Sequence, residues 1–350
     1  MPRSLVTGGN GFIGRHLVSA LRARGDFVRI LDEATPAGPV EGVEFVPGSV
    51  LDRATVLRAL DGIDHVYHLA AIAHLWTPEM AMLDRVNREG TEIMLSAAAR
   101  KKVARFVHCA SAATLVSPYS AGTFINETAA AGLADMAGPY SRSKYLGEQA
   151  ALSAARAGQP VVVVNPTLPI GPGDDRLTPP MAMLALYFSD RMPASLNFIL
   201  NLVDVRDVAL GVTLAAQCGR VGERYILGGE NISMKQLAAM LERLTGKKAI
   251  KFWIPGQLAL AAGLASEWVA TRLTRREPAA TAEGVRLALR SAYLDSSKAQ
   301  RELAHAPRPI GEAVANAVSW LSQRKIVRRE RGEEKCEPVF RSSSRSKCKR

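Results

Sequence analysis

The chain has few of the residues from which metal centres and disulfide frameworks are built. Its 350 residues include four cysteines and six histidines. Cys109, Cys218, Cys336 and Cys348 form no CxxC pair and show no zinc-ligand spacing. A reducing cytosol, no structural disulfide and no metal are therefore expected. Long apolar runs are missing too. The nearest approach to a membrane span, residues 252–266, falls short of the ~18 residues a helix needs. It contains Pro255 and Gly256 and stops at Glu267. Met1-Pro2-Arg3 passes directly into Leu5-Val6-Thr7-Gly8, which leaves no space for a leader before the first structural element. A cytoplasmic protein is expected.

Positive charge is plentiful but badly spread. Of the formal +12, residues 324–350 account for +7, with 11 Lys or Arg against four Glu. The body is close to balance, so no specific nucleic-acid partner is expected. The tail over 323–350 is polar, basic and Ser-rich, and reads as disordered. Over the whole chain, 47% hydrophobic and 22% charged residues are enough to bury a sizeable core.

The first half alternates β-type runs with helical patterns. Strands are expected at 5–6, 27–31, 44–46, 65–69, 105–108 and 161–165, and helices over 12–24, 81–100 and 140–157. Regular alternation argues for an α/β fold with a Rossmann-type, doubly wound parallel sheet. After Pro166 the pattern loosens. Residues 166–203 are rich in Pro, Gly and Met and read as a mobile segment over a substrate. Helices follow over 206–217 and 233–244, the second with Ser233 as N-cap, and 252–320 reads as mainly helical. The expected division is a dinucleotide-binding domain with the catalytic residues over 1–165 and a smaller, mostly helical substrate-binding lobe over 166–322, interleaved with the last sheet elements.

Thr7-Gly8-Gly9-Asn10-Gly11-Phe12-Ile13-Gly14 lies between the first strand and the first helix. Glycines at 8, 11 and 14 permit a tight turn, close approach of backbone N–H groups to a pyrophosphate, and close packing of helix on strand. The helix N-terminus then faces the phosphate charge. Asp32, at the end of the second strand, is placed to accept from the adenine ribose hydroxyls and to repel a 2′-phosphate. NAD is thus expected ahead of NADP. Arg29 precedes the acid within the strand and is not counted as a phosphate ligand.

Tyr140-Ser141-Arg142-Ser143-Lys144 sets a phenol and an ammonium four residues apart, on one face of a helix. A phenol titrates near ~10, too high for a base at neutral pH, unless a neighbouring cation stabilises the phenolate. Alone, YxxxK occurs by chance in many helices. Ser111, just after the fifth strand, supplies a hydroxyl at the sheet edge where ligands gather, with Thr114 as its rival.

Further segments carry a resemblance. His68-Leu69-Ala70-Ala71, Val86-Asn87-Arg88-Glu89-Gly90-Thr91, Asn165-Pro166 with Gly171-Pro172, and Val203-Asp204-Val205-Arg206-Asp207-Val208-Ala209 join the glycine and YxxxK motifs in the family's order. The chain thereby resembles the extended short-chain dehydrogenase/reductase, or NAD-dependent epimerase/dehydratase, family over about residues 3–322. The resemblance implies a catalytic Ser111, Tyr140 and Lys144. It implies cofactor contacts at Gly8, Asn10, Gly11, Phe12, Ile13, Gly14, Asp32, Leu69, Ala70, Ala71 and Pro166, shared with Tyr140 and Lys144. Two departures stand out. Ser49-Val50 replaces the acid that relatives often place after Gly48. Ser111-Ala112-Ala113 lacks the acidic pair of the family's sugar dehydratases, so elimination chemistry is not expected.

Asn165-Pro166-Thr167, residues 222–231 and residues 293–298 resemble the dihydroflavonol-reductase and 3β-hydroxysteroid-dehydrogenase-like branch, and the hopanoid-associated sugar epimerase group. That branch implies interconversion of a ketone and a secondary alcohol on an apolar small molecule, with the apolar segments 181–188 and 254–270 as pocket candidates. The alternatives are a nucleotide-sugar 4-epimerase holding NAD tightly and a non-catalytic dinucleotide sensor. The family implies a homodimer. Residues 252–276, ending in Arg272, Arg275 and Arg276, form an amphipathic candidate for peripheral membrane contact.

Overall fold

The computed structural model describes residues 1–35, 41–189, 191–278 and 280–324, so the tail from residue 325 onward lies outside the described residues. Seven parallel strands make the main sheet. Their spatial order is Arg224–Leu227, Val161–Pro166, Arg105–Cys109, His65–His68, Arg3–Thr7, Phe27–Asp32 and Val43–Pro47. The chain builds outward from Arg3–Thr7 on one side and then returns to the other. The order reverses between Arg3–Thr7 and His65–His68, the switch point at which sheets of this kind form a crevice at the carboxyl ends of their strands.

Burial explains why these runs are strands. Val161, Val162, Val163 and Val164 are all fully buried, as a central strand covered on both faces requires. Val162 and Val164 join a core with Leu17, Val18 and Leu21 of helix Phe12–Ala23 and Val208 and Val212 of helix Val205–Cys218. Val161 and Val163 face the other way, toward Ile93 and Met94 of helix Gly90–Arg100 and Ala151 and Ala155 of helix Pro139–Arg156. Burying each valine stabilises the sheet by roughly 1.5–3 kcal/mol.

Caps set several helix ends. Asp204 accepts from the Arg206 amide at 2.9 Å and starts helix Val205–Cys218. Ser233 caps Met234–Thr245 in a reciprocal box with Gln236. Asp207 is bound by Arg308 at 2.8 Å, which ties the approach to helix Ile310–Gln323 onto the sheet's flanking layer. The carboxylates of the Val203–Ala209 motif therefore serve architecture.

The structure departs from the sequence pattern in three places. The helix expected over 81–100 runs as Ala81–Asp84, a π-type turn Arg85–Glu89, and Gly90–Arg100. Residues 166–203, expected as a mobile covering segment, hold strand Leu168–Ile170, helix Pro179–Phe188 and strand Ile199–Asp204. Those two strands form a three-stranded sheet with Glu230–Ser233. A three-residue strand shows no periodicity of its own, because its partner is distant in sequence. The segment 181–188, expected at a substrate pocket, is core instead. Met181, Leu184, Tyr187 and Phe188 are buried against Leu237, Leu241, Val314 and Ala317.

Candidate active site

The glycine turn sits at the strand-order reversal. Gly8 adopts φ +69°, and a Cβ there would lie 2.8 Å from the Ala70 nitrogen, so the turn and the Leu69-Ala70 segment need a bare backbone to approach. A Cβ on Gly14 would lie 2.1 Å from the Gly8 carbonyl oxygen. Gly11 begins helix Phe12–Ala23 with no side-chain cap and no acid in the first turn. The first-turn amides that follow it have no acceptor within the helix and would suit an anion. Asp32 Oδ2 accepts from the Asn10 amide at 3.0 Å and Oδ1 from the Ala34 amide at 3.0 Å, which fixes the carboxylate at the rim. Arg29 points elsewhere and donates to the carbonyls of Ala59 and Asp61 at 2.8 Å each. Ile13 packs on the sheet core, whereas Phe12 packs against the apolar cluster that holds Met181, Leu237 and Val314. These features fit a dinucleotide: the amides would meet the pyrophosphate and Asp32 the ribose.

Beneath the turn, His68 is assigned one tautomer by its partners. Thr7 Oγ1 accepts from the Ala70 amide at 3.1 Å and so donates to His68 Nδ1 at 2.8 Å. Thr91 donates to the Asn87 carbonyl at 2.8 Å, leaving its oxygen to accept from His68 Nε2–H at 3.0 Å. Burial, together with the Lys144 charge, pushes the His68 pKa down to about 3. The ring is a neutral strut between strand and helix.

Ser111 follows strand Arg105–Cys109 and opens a short 3₁₀ turn over Ala112–Thr114. Tyr140 lies in the first turn of helix Pro139–Arg156. The Ser111 hydroxyl bonds the phenol and holds its pKa down, but burial pushes the other way and leaves it at about 12. One turn on, Lys144 Nζ donates to the Cys109 carbonyl at 2.6 Å, two residues before Ser111, and burial lowers its pKa. Phenol, ammonium and hydroxyl are thus gathered at the end of one strand. Pro166 is buried at the end of the adjacent strand, and Leu69, Ala70 and Ala71 continue from His68 at the crevice floor.

Thr114 is engaged elsewhere. Its hydroxyl lies 2.5 Å from Glu148 Oε2 and 2.7 Å from the Ser111 carbonyl. Asn165 Nδ2 reaches Ser111 O at 3.1 Å and Glu148 Oε2 at 2.9 Å. Arg224, from the edge strand, meets Glu148 Oε1 at 3.2 Å. This buried network fixes the backbone that presents Ser111.

Two further residues fix helix Pro139–Arg156 in place. Asn87, in the π-type turn, accepts from the Ile72 amide at 2.8 Å and donates to Ser143 Oγ at 2.9 Å. It couples the crevice floor to the helix between Tyr140 and Lys144, and a π-turn is where such a side chain is re-aimed. Its signal was the motif over 86–91. Glu283 has no local signature. Buried on helix Ala282–Leu289, it accepts from the amides of Tyr140 at 3.0 Å and Ser141 at 2.7 Å. It caps helix Pro139–Arg156 from an element far along the chain, and Gly138 leaves room for it: a Cβ there would lie 2.5 Å from Glu283 Oε2.

A polar surface cavity of about 820 Å³, lined in part by Glu127, Arg220, Arg224 and Lys298, opens away from these groups. Arg220, Arg224 and Lys298 are paired with Glu302, Glu148 and Glu223.

The fold and site define a dinucleotide-binding α/β enzyme. The chain belongs to the NAD dependent epimerase/dehydratase family, whose model matches residues 4–228. It works with a nicotinamide dinucleotide. It is 36% identical over 331 residues to a Synechocystis sp. protein named, provisionally, as a dihydroflavonol 4-reductase, covering 92% of this chain and 95% of that one. It is 32% identical over 341 residues to sterol demethylase protein B of Methylococcus capsulatus, covering 93% and 99%. The crystal structure of gox2253 matches with a TM-score of 0.79 at 34% identity, covering 93% of this chain and 99% of that one.

Proposed function

We propose that the protein interconverts a ketone and a secondary alcohol on an apolar or polycyclic small molecule, with Tyr140 as acid and base. The observation that carries this reading is the meeting of Ser111, Tyr140 and Lys144 at the end of strand Arg105–Cys109, beside the strand-order reversal. NAD, when bound, supplies the hydride acceptor. Ser111 hydrogen-bonds the substrate oxygen, and Tyr140 removes its proton in oxidation or returns it in reduction. The Lys144 ammonium, held in a dry setting, favours the phenolate that burial opposes. Asp32 selects NAD over NADP. Residues 1–165 carry the cofactor and the catalytic groups, and 166–322 supply the lobe that closes on the substrate.

The apolar substrate is supported by the names of two relatives, one pointing to a flavonoid and one to a sterol. Ala112 and Ala113 follow Ser111, so no carboxylate stands where an elimination would need one. The test is turnover of purified protein with NAD(H) and NADP(H) on steroid, flavonoid and UDP-sugar panels. Net NADH formation from an apolar alcohol is expected. Sugar interconversion without net NADH would instead mark a 4-epimerase, and turnover by Tyr140→Phe would remove the assigned acid–base.

A further inference from the structure

The second pocket candidate, 254–270, turns most of its large apolar side chains outward. In helix Gly256–Val269 only Ala259 and Gly263 are buried, and they continue through Ala270 as one inward stripe. The opposite face carries Leu258 at 62% exposure, Leu264 at 47%, Trp268 at 60% and Val269 at 39%, followed by Leu273 at 69%. Phe252 and Trp253 precede it at 65% and 39%. Half of the large apolar side chains exposed among the described residues therefore fall within 252–273, including two of the chain's four tryptophans. So concentrated a patch marks an interaction surface.

Charge at the rim identifies the partner. Lys248 and Lys251 stand exposed before the helix, and Arg272, Arg275 and Arg276 after it. A second copy paired on this face would set cations against cations, since both ends are positive. An anionic surface satisfies both ends at once. Tryptophan and leucine outward with arginine and lysine at the margins is the composition of a helix lying in a lipid interface. Among the described residues no helix is long and apolar enough to cross a membrane.

We propose that residues 252–276 dock the protein on a bilayer containing anionic phospholipid. The docked helix lies one layer from the catalytic helix. A Cβ at Gly263 would meet Thr281 O at 3.3 Å and Ala282 Cα at 3.4 Å, and the next residue is Glu283, the cap over Tyr140. Trp76 Nε1 donates to Thr271 Oγ1 at 3.3 Å, joining the docked segment to the loop that follows Ala71. Docking thus sets the crevice near the lipid phase. It does not depend on the proposed reaction.

The test is cosedimentation of the full chain with phosphatidylcholine vesicles, with and without phosphatidylglycerol. Wild type is expected to bind the mixed vesicles, and the double variant Trp268→Ser, Leu273→Ser to bind roughly tenfold more weakly. Both side chains are exposed, so the variant's unfolding midpoint and NADH affinity should match wild type. The variant keeps the basic tail, so equal sedimentation of variant and wild type would assign binding to the tail and overturn the proposal. Wild type left in the supernatant would overturn it as well. So would a dimer, seen by light scattering, that the double variant converts to monomer while wild type ignores vesicles.

Discussion

Glu283 and Tyr140, 143 positions apart, are joined by a 3.0 Å hydrogen bond from the Tyr140 amide to the Glu283 carboxylate. The bond completes the first turn of helix Pro139–Arg156 with a group from helix Ala282–Leu289. It also sets a carboxylate whose charge opposes ionisation of the phenol. Glu283→Gln keeps an acceptor and removes that charge. The alkaline limb of alcohol oxidation should then move to lower pH, because the phenol loses a neighbour that raises its pKa. Glu283→Ala leaves two amides without partners and should cost about 1–3 kcal/mol of stability. A pH–rate profile and a denaturant curve separate the two effects.

Tyr140→Phe should lower turnover by about 10²–10⁴-fold while leaving NADH affinity near wild type. With the phenol near 12 before cofactor binds, oxidation by wild type should rise toward alkaline pH, and reduction, which needs the protonated phenol, should not. Stopped-flow and steady-state rates in both directions check the sign.

Ser111→Ala and Thr114→Val should part company. The Ser111 hydroxyl faces the phenol, so its loss should reduce kcat with little change in stability. The Thr114 hydroxyl serves buried Glu148, so its loss should lower the unfolding midpoint, at about 1–3 kcal/mol. Active-site titration of the folded fraction distinguishes a chemical defect from a structural one.

Asp32→Ala should weaken NADH binding by roughly 10–100-fold, the loss of charge-assisted hydrogen bonds to a ribose. NADPH should gain relative to NADH. Fluorescence titration with both nucleotides reads this directly, and a wild type that already favours NADPH would contradict the role given to Asp32.

Acid should destabilise the protein through its buried histidines. His68 titrates at about 3 when folded, against ~6.5 when unfolded, so between those values the unfolded chain binds more protons. Its contribution is whole above pH ~6.5 and is lost progressively as pH falls toward about 3. Buried His108 is shifted in the same direction. Each adds up to about 1.4 kcal/mol per pH unit to the slope. Urea midpoints at neutral and mildly acidic pH should show the fall, and His68→Gln should flatten it.

Local sequence determined much of this protein. Gly8, Gly11 and Gly14 are legible because a turn without Cβ atoms is a backbone requirement that the residues state themselves. Tyr140 and Lys144 are legible because four residues make one helical turn. The valines of 161–164 declare a strand buried on both faces. Tertiary structure alone decided the rest, because the partners are distant in sequence and leave no periodic mark. Glu283 reaches Tyr140 across 143 positions, and Glu148 holds Thr114 in a buried network. Residues 181–188 and 256–269 are both apolar helices by composition. One is covered by the helices Met234–Thr245 and Ile310–Gln323, and the other is left facing outward. Hydrophobicity says that a surface seeks cover, but only packing decides which neighbour provides it.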